Sequence, residues 1–171
     1  MSRSYRLSIA AAPALVVLAG CVAALAIAFT AQYGAGARPC VLCLTERVPY
    51  AVAVPLLALA CWPVLTVGLR RRLAGLAALV LAVNTLIAAY HVGVEQNWWH
   101  SAVCGSTPPG LAEMDPATLD LAAAMSRPVD MPPCDQPSWS YHGITFAALN
   151  VAYSALLALV LVRALSPRRR R

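Results

Sequence analysis

Charge is scarce in these 171 residues: Asp, Glu, Lys and Arg together make up 12% of the chain, apolar residues make up 60%, and lysine is absent. So little charge excludes an ordinary soluble domain and fits a small polytopic membrane protein. Period-2 alternation is also missing, which excludes a transmembrane barrel and leaves helices to satisfy the backbone in lipid. No small-residue cleavage pattern precedes the polar turn Gln32-Tyr33-Gly34, and the first apolar run is longer than the core of a signal peptide. We therefore read that run as a retained helix, although Arg3 and Arg6 precede it.

What the chain does hold is four apolar stretches, each long enough to cross roughly 30 Å of hydrocarbon as a helix of about 20 residues. The expected fold is an all-α four-helix transmembrane bundle in one membrane domain. Spans are expected at about 7–31, 45–69, 73–93 and 143–163, with outer loops at 32–44 and 94–142. Arg3, Arg6, Arg70 to Arg72, Arg163 and Arg168 to Arg171 then fall on one side, which the positive-inside rule makes cytoplasmic along with both termini. The seven acidic residues, Glu46, Glu95, Glu113, Asp115, Asp120, Asp130 and Asp135, fall on the other side or at its boundary. The arginine tail is read as a topology and anionic-lipid signal and not as a nucleic-acid footprint.

This topology puts Cys40, Cys43, Cys104 and Cys134 outside the cytoplasm, where disulfides persist. Cys21 and Cys61 lie within spans and read as small hydrophobes. Four outer cysteines allow three pairings; local spacing favours Cys40 with Cys43 and Cys104 with Cys134 without deciding the matter. A bridge from Cys104 to Cys134 would contribute roughly 3 to 4 kcal/mol as a structural staple. Against a purely structural role, Gly105, Pro108-Pro109-Gly110 and the prolines from 128 to 137 predict an open loop with reachable sulfurs. A second CxxC is lacking, so the zinc spacing is incomplete despite His91, His100 and His142 on the same side, and no metal is expected. Haem attachment is excluded because residue 44 is Leu.

Cys40-Val41-Leu42-Cys43 follows Pro39 and runs without another breaker into the second span, which places it at a helix N-terminus. Free N–H groups and the helix dipole there favour thiolate over thiol. Arg47, four residues after Cys43, shares a helical face with it. Its cation either stabilises the Cys43 thiolate or an anionic ligand, pairs with neighbouring Glu46, or reaches lipid headgroups. Asn84 and Asn150, polar in mid-span, are expected to hydrogen-bond between helices. Asp115-Pro116 followed by Leu119, Ala122, Ala123 and Met125 predicts a short amphipathic helix in the second loop.

Cys-Val-Leu-Cys-x-x-Glu-Arg after a first span, a second outer cysteine pair in a long loop, and four spans with both ends inside resemble the DsbB family of quinone-dependent disulfide oxidases. The resemblance implies a bacterial inner-membrane, multi-pass enzyme whose active site faces the periplasm. It implies that Cys104 is attacked by a reduced, periplasmic DsbA-like thioredoxin-fold partner, that Cys134 then attacks Cys40, and that Cys43 faces ubiquinone or menaquinone. By the same resemblance Arg47 polarises a quinone oxygen and His91 sits near the quinone; otherwise His91 belongs to an interfacial belt with Tyr90, Trp98 and Trp99. Two further enzyme readings are an oxidase dedicated to one specialised partner and a relative of the vitamin K epoxide reductases, in which the CxxC follows the loop cysteines instead of preceding them. A membrane scaffold with structural disulfides is the non-enzymatic alternative.

Overall fold

The computed structural model describes residues 2–101, 104 and 132–166, with side chains from residue 12 onward. The element order is α1 (Ser2–Phe29), a π-helical turn (Thr30–Gly34), α2 (Val41–Thr45), α3 (Arg47–Cys61), α4 (Val67–Glu95), a hairpin of β1 (Ser140–Tyr141) with β2 (Ile144–Thr145), and α5 (Phe146–Leu165). Four helical stretches among the described residues, Ala12–Gly34, Val41–Cys61, Val67–Glu95 and Phe146–Leu165, are long and apolar enough to cross a membrane. The predicted loop helix around Asp115 and the tail beyond Ser166 lie outside the described residues.

The second and third spans meet elsewhere than the sequence suggests. Expected ends at 69 and 73 become Cys61 and Val67. Trp62 precedes Pro63, whose ring disfavours a helical residue before it, and Trp62 is extended at φ −67°, ψ 120°. Thr66 then caps α4 by accepting from the Leu69 N–H at 3.4 Å. Arg70, Arg71 and Arg72 therefore belong to the first turns of α4 and not to the connection before it. From there Arg70 donates to the Ala60 carbonyl at 2.7 Å and Arg71 to the Leu165 carbonyl at 2.6 Å. Basic side chains thus satisfy carbonyls at the C-terminal ends of α3 and α5, where the helix dipole favours cations.

Helix α4 packs against α3 and α5, and α1 closes the bundle against α3 and, more lightly, α5. The shared core is built of small and medium residues: Ala14, Val17, Cys21, Ala53, Leu57, Ala77, Ala78, Leu81, Leu157, Ala158 and Leu161. Small side chains let the backbones approach, which is how helices associate where lipid offers no hydrophobic contrast. Leu15, Val16, Leu79, Leu86 and Leu156 point outwards, as lipid-facing residues do. Asn150 hydrogen-bonds between helices as expected, and Asn84, fully buried in α4, lies against Tyr50 of α3.

The outer end is shaped by turns. Gly36 at φ +69° turns the chain from α1 towards Pro39. His142 and Gly143, both at positive φ, make the tight hairpin turn whose twist matches its strands. Trp99 folds back on α4, stacks on Tyr90 with ring centroids 5.7 Å apart, and donates to the Tyr90 carbonyl at 3.2 Å. Its indole lies on Gly93, and a Cβ there would fall inside the ring. Gly93→Val is therefore expected to dislodge Trp99 and destabilise the outer end by about 1–3 kcal/mol, read as a lower unfolding midpoint and a changed tryptophan emission.

Candidate functional site

The site assembles where α2, the outer ends of α4 and α5, and the second loop meet. Cys40 caps α2: its sulfur accepts from the Cys43 N–H at 3.2 Å and lies 2.9 Å from the Cys43 sulfur. That separation is well beyond a disulfide bond of about 2.05 Å, so the pair is a dithiol. Cys104 and Cys134 form a disulfide across 30 residues. Both pairs share one apolar nest with Leu42 and Val94, and the Cys40 and Cys134 sulfurs lie within 4.8 Å of each other. The expectation of reachable loop sulfurs is corrected here: Cys104 is 8% exposed and Cys134 2%, because both pack into this nest instead of facing water. Cys104 is the more accessible of the two.

His91, on α4, is 2% exposed and faces inwards, apart from the exposed aromatics Tyr90, Trp98 and Trp99. Its Nε2 lies 3.5 Å from the Cys40 sulfur and its Nδ1 2.7 Å from Glu46 Oε1. Cys40 is held far below the ordinary thiol range, down to about 4. The hydrogen bond from the Cys43 thiol contributes most, burial opposes it, and His91 and the Cys43 N–H add to the lowering. The Cys40, His91 and Cys134 ligand atoms lie within 4.8 Å of one another, but the Cys134 sulfur is taken up by its disulfide.

Arg47 does not pair with Glu46. It donates to the Gln32 side-chain oxygen at 2.5 Å and more distantly to the Ala28 carbonyl at 3.5 Å, and it lies 5.3 Å from the centre of the Phe29 ring. Arg47, Cys43, His91 and Cys40 line one cavity of about 420 Å³, whose apolar walls include Ala24, Leu25 and Ile27 of α1 and Trp139 and Phe146 beside α5. This volume lies in the range of small-molecule sites, with a few polar groups converging on an apolar cleft. A groove at the cytoplasmic end, lined by Pro13, Leu159 and Arg163, holds no thiol.

A family model described as "Disulfide bond formation protein DsbB" matches residues 10–164, nearly the whole chain. The chain belongs to the DsbB family. It is accordingly a quinone-linked disulfide oxidoreductase of the bacterial inner membrane, with four spans and a periplasmic active site. DsbB proteins use membrane quinones and work with DsbA-like partners. No curated protein and no solved structure matches the chain.

Sequence reasoning missed the polar surroundings of this DsbB site. Glu46 was read only as a neighbour for Arg47; in the fold it bridges His91 on α4 and Asn150 on α5, whose side-chain N–H donates to Glu46 Oε2 at 2.7 Å. Glu95 accepts from the Thr145 hydroxyl at 2.5 Å and lies 3.8 Å from His91 Nε2. The available signal was that ionisable groups at membrane depth find partners, but which partners depends on helix packing.

Proposed function

We propose that Cys40, Cys43, Cys104 and Cys134 carry electrons from a reduced, periplasmic DsbA-like thioredoxin-fold partner to ubiquinone or menaquinone. The observation that carries this reading is the approach of the Cys134 sulfur to Cys40 within 4.8 Å, in one nest with Cys43.

In the oxidised enzyme a partner thiolate attacks Cys104, and Cys134 leaves as thiolate. Cys134 attacks Cys40 of the Cys40–Cys43 disulfide, and Cys43 leaves as thiolate. The partner's second thiolate attacks its own sulfur in the mixed disulfide, which completes the partner's disulfide and frees Cys104. Cys104 then attacks Cys134, closing Cys104–Cys134 and releasing Cys40. The chain is left with a Cys40/Cys43 dithiol beside a Cys104–Cys134 disulfide, the arrangement of sulfurs seen in the fold. Each step exchanges one S–S bond for another, so the two electrons taken from the partner now reside on Cys40 and Cys43.

The cavity suits a quinone head because its walls are largely apolar, with residues of α1 and α5, and include Cys43 and the Arg47 cation. A quinone held there supplies a two-electron, two-proton acceptor for the Cys40/Cys43 dithiol, whose sulfurs then form a disulfide. Arg47 and His91 hold the quinone end of the cavity. Arg47 presents a cation where negative charge develops.

The test is the rate of quinone reduction by purified protein given a reduced DsbA-like partner, for wild type beside Cys104→Ser, with ubiquinone and menaquinone analogues in turn. Turnover in wild type that disappears in Cys104→Ser is expected, and the preferred analogue identifies the acceptor. Wild-type turnover that persists in Cys104→Ser overturns the electron path. No wild-type turnover with either analogue overturns it in favour of a specialised partner or a structural disulfide.

A further inference from the structure

We propose that Glu46, held by Asn150 and Tyr50, is a positioning residue: it turns His91 so that the ring Nε2 takes the proton of Cys40 and keeps that sulfur a thiolate. The proposal rests on the reading of Cys40 as a redox thiol and adds a second support for its thiolate beside the Cys43 sulfur. Proton transfer breaks the Cys40 S–H bond and forms an N–H bond on His91, and no electron changes hands.

Donor chemistry fixes the direction of each hydrogen bond. Glu46 as a carboxylate can only accept, so His91 Nδ1, 2.7 Å from Oε1, carries the hydrogen. Nε2 is then left to face Cys40, 3.5 Å away, as acceptor of its proton. The second carboxylate oxygen accepts from Asn150 at 2.7 Å, and the Asn150 oxygen accepts from the Tyr50 hydroxyl at 2.6 Å. Both oxygens of Glu46 are thus held by hydrogen bonds, and a carboxylate fixed in that position stabilises an imidazolium on the ring it faces. Nucleophile, base and a third group orienting the base make up the general pattern of an activated nucleophile.

The row of hydrogen bonds runs from His91 to Tyr50, which is packed among the apolar residues of the bundle core with Ala53, Leu57 and Leu81. It also ties together three helices, since Tyr50 belongs to α3, His91 to α4 and Asn150 to α5.

The other groups facing the ion pair do not replace Glu46. Cys43 and Cys134 face the Cys40 sulfur. Glu95 lies at 3.8 Å from Nε2, on the side turned to Cys40, and accepts from Thr145. Arg47 is turned to Gln32 and Ala28, and Arg38 lines the cavity.

The experiment is the pH dependence of alkylation at Cys40, resolved by peptide mass spectrometry after brief reaction of the whole reduced chain with iodoacetamide, without quinone or partner. In wild type the alkylation midpoint of Cys40 is expected far below that of an ordinary thiol. Glu46→Gln should raise it by about one pH unit or more. In a His91→Gln background the same Glu46→Gln change should add almost nothing, because Glu46 acts through the ring. Tyr50→Phe, which leaves carboxylate and imidazole intact, should raise the midpoint in the same direction by less, and it serves if Glu46→Gln does not insert. A midpoint unmoved by Glu46→Gln, or moved equally with and without His91, overturns the proposal. So does faster alkylation at every pH with no change of midpoint, the mark of mere exposure. Because no quinone or partner is present, absent turnover in the preceding assay bears on the electron path and not on this midpoint.

Discussion

Cys43→Ser is expected to abolish quinone reduction and to move the surviving disulfide from Cys104–Cys134 to Cys40–Cys134. Without Cys43 the CxxC cannot close, so two electrons cannot leave it. Cys40 remains within 4.8 Å of the Cys134 sulfur and is ionised at neutral pH. Attack by Cys40 on Cys134 forms the interloop bond and expels Cys104 as thiolate. Serine retains a hydroxyl donor beside Cys40, so the thiolate survives the substitution. Alkylation under non-reducing conditions followed by peptide mapping should find Cys104 labelled and Cys40 joined to Cys134. Retention of Cys104–Cys134 with Cys40 labelled would mean that the two pairs do not exchange, whatever their proximity.

Arg47→Gln should weaken quinone use far more than partner exchange. Among the described residues Arg47 has no carboxylate partner; its neighbours are the neutral Gln32 side chain, the Ala28 carbonyl and the Phe29 ring. Glu46, which could have neutralised it, is engaged by His91 and Asn150. A cation left without a counter-ion at the wall of an apolar cavity attracts negative charge developing on a bound acceptor. A hydrogen bond to a charged group contributes about 1.5–3 kcal/mol, so a tenfold or greater rise in the apparent quinone KM is expected. The rate of mixed-disulfide formation at Cys104 should change by roughly twofold at most, since Arg47 lines the cavity and Cys104 does not. An unchanged quinone KM and kcat would remove Arg47 from the acceptor site.

The four spans, the side on which each cysteine lies and the CxxC at a helix start were all legible in the chain, because each depends on local composition. Hydrocarbon tolerates only long apolar helices, clustered arginines mark the cytoplasmic ends, and Pro39 starts a helix wherever the rest of the chain goes. Boundaries were less legible where two local signals competed. The apolar run through Trp62-Pro63-Val64-Leu65 reads as continuous membrane span, but Pro63 and the Thr66 cap break it, and the arginines that follow become part of α4.

The partners of Glu46, His91 and Arg47 were beyond reach of the sequence. Sequence distance left Glu46 open as a partner for Arg47, one residue away, yet neighbours along a helix point to different faces. Only the packing of α4 and α5 against α3 brings His91, 45 residues on, and Asn150, 104 residues on, to the two oxygens of one carboxylate. The burial of the loop sulfurs has the same origin: Cys104 and Cys134 find an apolar nest made by Cys40, Leu42 and Val94, residues from distant parts of the chain. The sequence by itself determined a four-span membrane protein with two thiol pairs outside the cytoplasm, since those properties follow from what each segment can do alone in lipid or water. The tertiary structure decided which thiol sits beside His91, which carboxylate holds that ring and what surrounds Arg47, since those contacts depend on neighbours that only folding brings together.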